Sequence, residues 1–434
     1  MKTIAIIGGG ASGLAAAIAA GEELARAGRA SDVRIRLFEA DDERVGRSIL
    51  ATGNGRCNFS NARIDPVVYR NAGFVEEALR ELARVEGEAE SELPDWERLG
   101  GAARPSGLEA PVQRFFSDLG LMWREEAQGR LYPLANKASS VLDVLRAAIG
   151  ACGIEQRFGY ELFRIDAPAR EEGRIHLRFR DGSIEHADAA VLAVGGRAIE
   201  GIELPGGIGK LGCRPVLGPL RADPRITRQL NNIRVKCDVS LVRGGREIAR
   251  EHGELLFRDY GVSGVCVFNL SRFAEEGDEL SIDLVPQLAS DARASWLLSR
   301  KRMLEERFGA PLAAEDVLRG VVLPQVAHVA CTRAGIDPAR PLAKRDAGAL
   351  ARVLGAFSLS VQGIGDARQC QVSRGGVAVG EVCPETLQTR RVPGLFVVGE
   401  ALDVDAPCGG YNLHWAWSSG IIAGRAAVRR VLGA

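Results

Sequence analysis

Three glycines near the start of the chain have the spacing of a phosphate-binding turn. Gly8, Gly10 and Gly13 fit the pattern GxGxxG. This pattern allows a tight turn, the approach of a pyrophosphate to the backbone, and close packing of a helix on a strand. Glu39 follows at the end of a second apolar run, where a carboxylate can accept hydrogen bonds from ribose hydroxyls and disfavours a 2′-phosphate. These residues predict that the chain binds an adenine dinucleotide.

The segments around the glycines predict the elements that such a motif needs. Residues 4–7 form a short apolar run typical of a buried parallel strand. Residues 14–27 predict an alanine-rich helix, whose free N–H groups and dipole attract phosphate. Val33–Phe38 predicts the second strand, which ends at the acidic residue. The ordered set is specific for a dinucleotide, but it does not distinguish FAD from NAD.

Composition limits the class of protein. The 434 residues are 46% hydrophobic, enough for a large core in two or three domains. Lys plus Arg and Asp plus Glu number 56 each, so no overall field attracts nucleic acid or a membrane. Nine cysteines without a CxxC indicate reduced thiols and no zinc site. No apolar run approaches the roughly 18 residues that span a bilayer. We therefore expect a cytoplasmic protein with no metal, membrane or nucleic-acid partner.

Two further segments resemble parts of the two-dinucleotide-binding flavoproteins. Residues 394–400 indicate a turn, a buried strand, glycine and an acid. Those flavoproteins carry Gly-Asp at this place, and the acid contacts the ribityl and pyrophosphate part of FAD. Thr389 and Glu400 occupy the corresponding positions here. Residues 189–194, followed by Gly195, resemble the strand that returns to the FAD domain. The resemblance favours FAD, and the lack of a second GxGxxG after a strand argues against a separate NAD(P)H domain.

Two long motifs are more specific than the glycine pattern. They are GRSILATGNGRCNFSN at 46–61 and GEALDVDAPCGGYNLHWAWSSG at 399–420. Both resemble the hallmark sequences of the bacterial HI0933-like (BaiN/YhiN) family of FAD-dependent, NAD(P)/FAD-type oxidoreductases, whose members include an aminoacetone oxidase. Shorter matches are GRLYP at 129–133 and GVSG at 261–264. The chain departs from the family pattern at 197–212, where a glycine-rich stretch is replaced, and this puts the transfer of a relative's substrate in doubt.

The resemblance implies an α/β fold with a two-dinucleotide-binding-type Rossmann FAD domain built from both ends of the chain. Residues 1–204 and 351–434 would form this domain, and 205–350 an inserted β-barrel and helical module on the substrate side. Sequence patterns in the insertion predict strands at 235–242, 254–257, 265–270 and 280–284, and helical segments at 290–308 and 314–319.

Two polar segments are candidates for contact with the flavin ring. Glycines free the backbone of 52–58 to approach a ligand. A helix predicted at 413–425 would direct its N-terminus at the flavin N1 and C2 carbonyl. Asp403 and Asp405 are candidate ligands of the ribityl hydroxyls. The predicted cofactor-binding residues are Gly8, Gly10, Ala11, Ser12, Gly13, Glu39, Ala40, Arg47, Thr52, Gly53, Asn54, Asn58, Gly195, Gly399, Glu400, Asp403, Gly410, Tyr411 and Asn412.

Several candidates have a simpler structural interpretation. Asn54 and Asn58 could stabilise turns through Asx bonds, and Arg56 could pair with a structural carboxylate. Packing is the commoner role of a cysteine, and only one of two tryptophans spaced two apart on a helix can face a cofactor. The residues whose structural role we favour or leave open are Cys57, Cys408, His414, Tyr132, Trp415 and Trp417. No residue is assigned as a catalytic acid or base.

The predicted function is an FAD-dependent oxidoreductase that moves a hydride to or from flavin N5 in a reaction with a small-molecule substrate. Either an oxidase or a reductase with NAD(P)H as transient electron donor fits the sequence. One alternative is a flavoprotein that binds or modifies RNA, suggested by the arginine-rich stretches 243–250 and 299–307. A flavin-bearing protein without turnover is the other.

Overall fold

The chain forms two compact units. The structure is a computed structural model and describes residues 1–88, 107–168 and 173–433. One unit comprises Met1–Arg214 and Val372–Ala434, and the other Pro215–Gln371. The second unit thus extends beyond the predicted 205–350 at its C-terminal end. The reason is that the strand Phe357–Ile364, which follows residue 350, closes the barrel.

A parallel sheet forms the centre of the first unit. Within the described residues its order is β19-β10-β1-β2-β6. The strands are β1 (Lys2–Ile7), β2 (Val33–Phe38), β6 (Glu155–Arg157), β10 (Ala189–Leu192) and β19 (Leu395–Val397). Every residue of β10 and β19 is buried, as expected of parallel strands covered on both faces. Because β1 has β2 on one side and β10 on the other, the carboxyl edge of the sheet has a crevice beside β1.

Smaller sheets and six helices complete the described part of the first unit. The sheets are β3 (Ser60–Asn61), β5 (Arg130–Pro133) and β4 (Trp123–Glu126); β7 (Leu162–Asp166), β8 (Ile175–Phe179) and β9 (Ile184–Ala187); and the pair β11 (Lys210–Val216) and β18 (Val372–Val377). The helices are α1 (Ala11–Arg26), α2 (Arg47–Ala51), α3 (Ala72–Glu88), α4 (Ala110–Asp118), α5 (Ala138–Ala151) and α11 (Tyr411–Leu432).

Helices α1 and α11 pack closely through small residues. A Cβ atom on Gly420 would lie 2.3 Å from the carbonyl oxygen of Ser12. One on Gly424 would lie 2.2 Å from the carbonyl oxygen of Ala16. Only glycine permits these approaches, and they hold the C-terminal helix against the helix of the glycine turn.

The second unit contains a closed six-stranded barrel in the order β12-β15-β14-β13-β16-β17. Its strands are β12 (Leu220–Ala222), β13 (Arg234–Arg243), β14 (Arg246–Arg258), β15 (Gly261–Ser263), β16 (Glu279–Asp283) and β17 (Phe357–Ile364). Its helices are α6 (Pro224–Thr227), α7 (Val265–Ser271), α8 (Arg293–Phe308), α9 (Pro324–Arg333) and α10 (Ala347–Gly355). The predicted strands at 235–242 and 254–257 are confirmed within β13 and β14. The predicted strand at 280–284 corresponds to β16, which ends at Asp283, and the predicted helix at 290–308 corresponds to α8, which begins at Arg293.

One predicted strand is wrong, because 265–270 lies in helix α7. Gly264 precedes it with φ +111°, and a Cβ there would lie 2.3 Å from the carbonyl oxygen of Glu254. This glycine turns the chain out of β15, so the following apolar residues continue as a helix. Cys266 and Leu270, four apart, are both buried by that helix. The predicted helical segment at 314–319 contains only a 3₁₀ turn at Asp316–Leu318.

Candidate functional site

The glycine turn has an open position at its centre. A Cβ on Gly8 would lie 2.5 Å from the carbonyl oxygen of Ala193, and one on Gly13 1.8 Å from that of Gly8. A Cβ on Gly10 would meet nothing nearer than the Ser48 hydroxyl at 3.5 Å. The first and third glycines are therefore required by packing, whereas the second leaves space beside the backbone. This is the space in which the predicted pyrophosphate would lie.

The start of α1 supplies the donors that such a ligand needs. Gly10 is its N-cap and makes no side-chain cap, and the first turn carries no acidic residue. The first N–H groups of a helix have no partner within it, so those of Ala11 and Ser12 can meet a phosphate. Both residues belong to the predicted binding set, and the surroundings of the helix start fit that role.

The Glu39 carboxylate is oriented by two backbone donors at the end of β2. The N–H of Gly9 donates to Oε2 at 2.7 Å, and the N–H of Asp41 donates to Oε1 at 2.9 Å. Each oxygen keeps a lone pair for a ribose hydroxyl. Ala40 is exposed beside it, and the Arg47 side chain, 73% exposed, pairs with Asp41 at 2.9 Å.

The segment after β19 lies between the two packed helices. A Cβ on Gly399 would lie 2.7 Å from the Ser12 hydroxyl. The N–H of Gly399 donates to the Ser419 hydroxyl at 3.0 Å, and the Trp415 indole donates to its carbonyl at 3.2 Å. Gly195, with φ +80°, follows β10, the strand next to β19. The structure therefore brings three sequence-distant predicted segments to one edge of the sheet.

Glu400 is a partly buried carboxyl in this segment. Burial raises its pKa to about 7, and the N–H groups of Ser373 and Gly196 and the charge of Arg197 oppose the shift. The N–H of Ser373 lies 3.4 Å from Oε2. Glu400 can therefore hold a proton near neutral pH. Thr389, matched to the same flavoprotein pattern, donates instead to the Val392 carbonyl at 2.8 Å.

The two long motifs meet at the N-terminus of α11. The Asn61 side chain donates to the Gly409 carbonyl at 2.9 Å. A Cβ on Gly410 would lie 2.2 Å from the carbonyl oxygen of Ser60, so this contact requires glycine. Tyr411 and Asn412 begin the helix here, and the Asn412 amide closes the preceding loop through bonds to the Ala406 backbone of 2.9 and 2.8 Å.

The loop 52–58 contains an unsatisfied buried acceptor. The Oδ1 atom of Asn58 is buried and has no hydrogen-bond partner, and a Cβ on Gly410 would lie 3.0 Å from it. Gly53 and Asn54 have left-handed backbones with φ of 55° and are exposed, while the Thr52 hydroxyl donates to the Ile49 carbonyl at 2.7 Å. A buried acceptor without a donor is costly. An N–H of a flavin ring would satisfy it, so these residues fit the predicted cofactor.

His414 and both tryptophans of the second motif are fully buried. The His414 Nδ1 atom lies 2.9 Å from the Ser60 hydroxyl, and burial lowers the His414 pKa to about 3, so the ring is neutral. Trp415 and Trp417 are at most 1% exposed. The Trp417 indole donates to the Phe59 carbonyl at 2.9 Å. These contacts give all three side chains a structural role.

The remaining polar candidates are also held by protein groups. Arg56 pairs with Glu126, and its guanidinium carbon lies 4.0 Å from the centre of the Tyr132 ring. This is the structural pairing that the simpler interpretation predicts. Burial raises the pKa of the Cys57 thiol to about 11, so Cys57 is a poor nucleophile.

Two arginines that sequence reasoning missed hold the acidic residues of the second motif. Both carboxylate oxygens of Asp403 lie 2.8 Å from Nε of Arg70, and the N–H of Gly375 donates to the same group at 3.0 Å. Arg374 donates to both oxygens of Asp405 at 2.8 and 2.9 Å. The glycine pair that directly follows Arg374, Gly375 and Gly376, could have drawn attention to it, whereas no motif marks Arg70. Contact of either acid with ribityl hydroxyls stays a prediction.

Two classes of site are not found in the described part of the chain. No group of three or more His, Cys, Asp or Glu side chains there could hold a metal ion. Of the helices that the structure describes, none combines the length and apolar character needed to cross a membrane.

Comparison with known proteins identifies the family. The sequence model of the HI0933-like protein Rossmann domain matches residues 109–426. The chain belongs to the HI0933-like family. Among curated relatives of this HI0933-like protein, a 3-dehydro-bile acid delta(4,6)-reductase from Clostridium scindens is 31% identical, covering 99% of this chain and 100% of its own length. A ribosomal RNA dihydrouridine synthase from Escherichia coli K12 is 27% identical and covers 95% of each chain.

A more distant likeness is found among solved structures. A 3-ketosteroid-delta4-(5alpha)-dehydrogenase from Rhodococcus jostii RHA1, in complex with 4-androstene-3,17-dione, is 15% identical, covers 98% of this chain and 97% of its own, and gives a TM-score of 0.44. The family match confirms the predicted resemblance and the α/β Rossmann-type fold with an inserted barrel. This HI0933-like protein is an FAD-dependent oxidoreductase.

Proposed function

We propose that this flavoprotein is a reductase that adds a hydride to a carbon–carbon double bond conjugated to a carbonyl group in a small-molecule substrate. NAD(P)H is the proposed transient electron donor. The observation that carries the proposal is the end-to-end similarity, at 31% identity, to a reductase named for a 3-dehydro compound with double bonds at positions 4 and 6. Dihydrouridine, in the name of the second relative, is likewise uridine with one ring double bond reduced.

The proposed reaction is balanced by a hydride and a proton. When bound, reduced FAD supplies the hydride from N5. The hydride would form a C–H bond at the carbon remote from the carbonyl, the π electrons of the double bond would shift towards the carbonyl, and a proton from solvent would add at the neighbouring carbon. The substrate would thus gain two electrons and two hydrogen atoms.

The residues of this chain would position the reactants. The N-terminus of α11 follows Gly410 and carries no acidic residue in its first turn, so its dipole would stabilise negative charge on a flavin bound there. The buried Oδ1 atom of Asn58 can accept one ring N–H. Gly10 and the start of α1 would hold the pyrophosphate, at the sheet edge where Gly399 contacts the same helix.

Anaerobic half-reactions test the proposal. The flavin spectrum of the purified holoenzyme is recorded during addition of NADH or NADPH, and then after addition of an enone such as cyclohexenone. We expect nicotinamide to bleach the flavin, the enone to restore it with formation of the saturated ketone, and air to restore it slowly. Bleaching by an amine followed by rapid reoxidation in air with release of peroxide would instead identify an oxidase. Failure of every donor to bleach the flavin would contradict a reductase.

Reduction of a uracil ring in RNA is the second candidate. The similarity to the dihydrouridine synthase favours it. In the arginine-rich stretch 243–250, two arginines are neutralised, since Arg243 pairs with Asp278 at 2.8 Å and Arg250 with Asp238 at 3.1 Å. Neutralised arginines give a weak field for phosphates. Salt-sensitive binding of ribosomal RNA together with RNA-dependent flavin reoxidation would favour this candidate over a small molecule.

A further inference from the structure

Two arginines, Arg63 and Arg130, are near enough to Tyr411 at the start of α11 for their charges to act on it. The aromatic ring of Tyr411 is partly exposed and folds back over Gly409, where a Cβ would lie 2.7 Å from its Cε2 atom. The Tyr69 ring stands at 87° to it with ring centres 6.1 Å apart, and the Tyr69 hydroxyl donates to the Tyr411 carbonyl at 2.9 Å. These contacts hold the Tyr411 ring against Gly409 and Tyr69 at the start of the helix.

Asn61 connects both arginines to this position. Asn61 is the cross-strand partner of Arg130 in β3 and β5, and its Oδ1 atom accepts the N–H of Arg63 at 3.0 Å. The same side chain donates to the Gly409 carbonyl, next to Tyr411, at 2.9 Å. The arrangement is therefore built by backbone pairing rather than by flexible surface side chains alone.

The charges of both arginines reach the Tyr411 hydroxyl. Burial, followed by the nearby Asp65 carboxylate, raises the pKa of Tyr411, and the positive charges of Arg130 and Arg63 oppose this shift. The phenol therefore keeps its proton at neutral pH and can donate a hydrogen bond.

Neither guanidinium is neutralised. Among the described residues, no carboxylate lies within the 4.0 Å of an ion pair from Arg63 or Arg130, whereas Arg56, Arg70 and Arg374 each pair with one. The positive end of the α11 dipole adds to this field. Arg130 donates one hydrogen bond to the Gln128 side chain, which leaves its other guanidinium N–H groups as donors. Two guanidinium groups without a carboxylate partner and a phenol donor match the two oxygens of a carboxylate, since guanidinium groups bind carboxylates in a planar, two-bond geometry.

We propose that Arg63, Arg130 and the Tyr411 hydroxyl form a subsite for a carboxylate group of the substrate. The subsite rests on the proposed function, because the molecule that it holds is the acceptor reduced at the flavin. It restricts the substrate class to carbonyl-conjugated compounds that also carry a carboxylate.

A matched pair of acceptors tests the subsite in the holoenzyme. The probes are 3-benzoylacrylate and its methyl ester, which share the reducible double bond but differ in charge. Each compound is used to reoxidise the flavin of the dithionite-reduced enzyme. The concentrations of acid and ester that give half of the maximal reoxidation rate are then compared. We expect wild type to prefer the acid, and Arg63→Ala and Arg130→Ala each to lower the acid-over-ester preference about tenfold. Arg180→Ala, at an exposed pair with Glu161, is the matched control and should keep the preference.

A binding measurement separates this proposal from the proposed function. Benzoate and benzamide are titrated into the oxidised holoenzyme while the flavin difference spectrum is followed. We expect benzoate to bind more tightly than benzamide, and Tyr411→Phe to weaken benzoate about tenfold. If benzoate binding depends on the arginines but neither acceptor is reduced, the proposed function fails and the subsite stands. The subsite would be overturned if wild type used the acid and the ester equally well, or if the variant that combines Arg63→Ala with Arg130→Ala kept the wild-type preference for the acid. The subsite would also be overturned if inorganic phosphate displaced benzoate at phosphate concentrations far below the benzoate concentration, because the site would then be one for phosphate.

Discussion

Gly8, Gly10 and Gly13 belong to one motif but have different surroundings. Carbonyl oxygens lie within 2.5 Å of the position that a Cβ would take on Gly8 and Gly13. The backbone of Gly10 has φ −78° and ψ −167°, which any residue can adopt, and its surroundings are open. A methyl group at position 10 would therefore leave the fold intact but would block a ligand that lies against the backbone there.

Gly10→Ala should separate folding from cofactor binding. We expect the variant to fold with a loss of about 1 kcal/mol or less, since Ala is a poorer N-cap than Gly, and to bind FAD at least tenfold more weakly because the methyl group blocks the pyrophosphate. FAD released on denaturation and titration of the apoprotein measure this. Gly150→Ala in α5, where a Cβ meets nothing within 4 Å, is the control and should retain FAD. Wild-type FAD affinity in the Gly10 variant would contradict the assigned site.

His414 should make stability depend on pH. Its pKa is about 3 in the folded protein against 6.5 for an ordinary histidine, so the unfolded chain binds the extra proton between these values. Stability should therefore fall as the pH drops from 6.5 towards 3, by at most about 1.4 kcal/mol per pH unit. His414→Gln can keep the bond to Ser60 and should lack this contribution.

Urea unfolding at pH 7.5, 5.5 and 4.5 measures the effect. The stability of His414→Gln relative to wild type should rise as the pH falls. His328→Gln, which removes an exposed histidine of the second unit, controls for the loss of a titrating ring. A constant difference between His414→Gln and wild type across the three pH values would show that the buried ring does not resist protonation.

At the scale of elements, the crossing of α1 and α11 determines where the second motif begins. Gly420 contacts the start of α1 at Ser12. Gly420 is nine positions after Tyr411, which at 1.5 Å per position places the start of α11 roughly 14 Å from the crossing. A cofactor held at α1 by its pyrophosphate can thus extend along α11 towards its N-terminus.

Gly420→Ala should disturb this crossing. The added methyl would lie 2.3 Å from the Ser12 carbonyl oxygen, and the helices must move apart. We expect a loss of about 1–3 kcal/mol in the free energy of unfolding and weaker FAD binding. Gly348→Ala in α10 has its nearest neighbour at 3.7 Å, at a side-chain end, and should be as stable as wild type or more stable. Unchanged stability and FAD affinity in Gly420→Ala would show that the helix contact is not tight.

At the scale of the whole molecule, the barrel unit has its own core and ends that meet. The N–H of Gln371 donates to the Leu217 carbonyl at 3.1 Å, so the two ends of Pro215–Gln371 lie side by side. The interior holds a separate cluster of buried residues that includes Phe257 and Phe357, with ring centres 6.2 Å apart. Because the barrel is closed, the edge strands of this unit find their hydrogen-bond partners within the unit itself.

The isolated segment 215–371 should therefore fold without the rest of the chain. We expect strand-rich circular dichroism, one cooperative unfolding transition and no bound FAD. Phe257→Ala in the same segment should cost about 3–5 kcal/mol, because it empties a fully buried position. The prediction of an independent core would be contradicted if the isolated segment showed no cooperative unfolding transition, or if Phe257→Ala left its free energy of unfolding unchanged.

The local sequence pattern was sufficient to predict much of the secondary structure of this protein. The strand, glycine turn and helix at the N-terminus, and strands such as β13 and β16, could be predicted because backbone sterics and hydrophobic period act within a few residues. The two long motifs likewise identified the family before any contact was known. The exception at 265–270 has a local cause, since Gly264 turns the chain and the apolar residues beyond it then pack as a helix.

The tertiary structure alone decided which distant residues meet. Arg70 reaches Asp403 across 333 positions, and Ser60 reaches His414 across 354. No periodicity encodes such pairs, because they depend on how helices and sheets pack after each has formed. The same packing leaves Arg63 and Arg130 near Tyr411 without a carboxylate partner, whereas Arg70 and Arg374 are neutralised. Residue types thus determined the fold class and the dinucleotide motif, and packing determined which polar groups are free to meet a ligand.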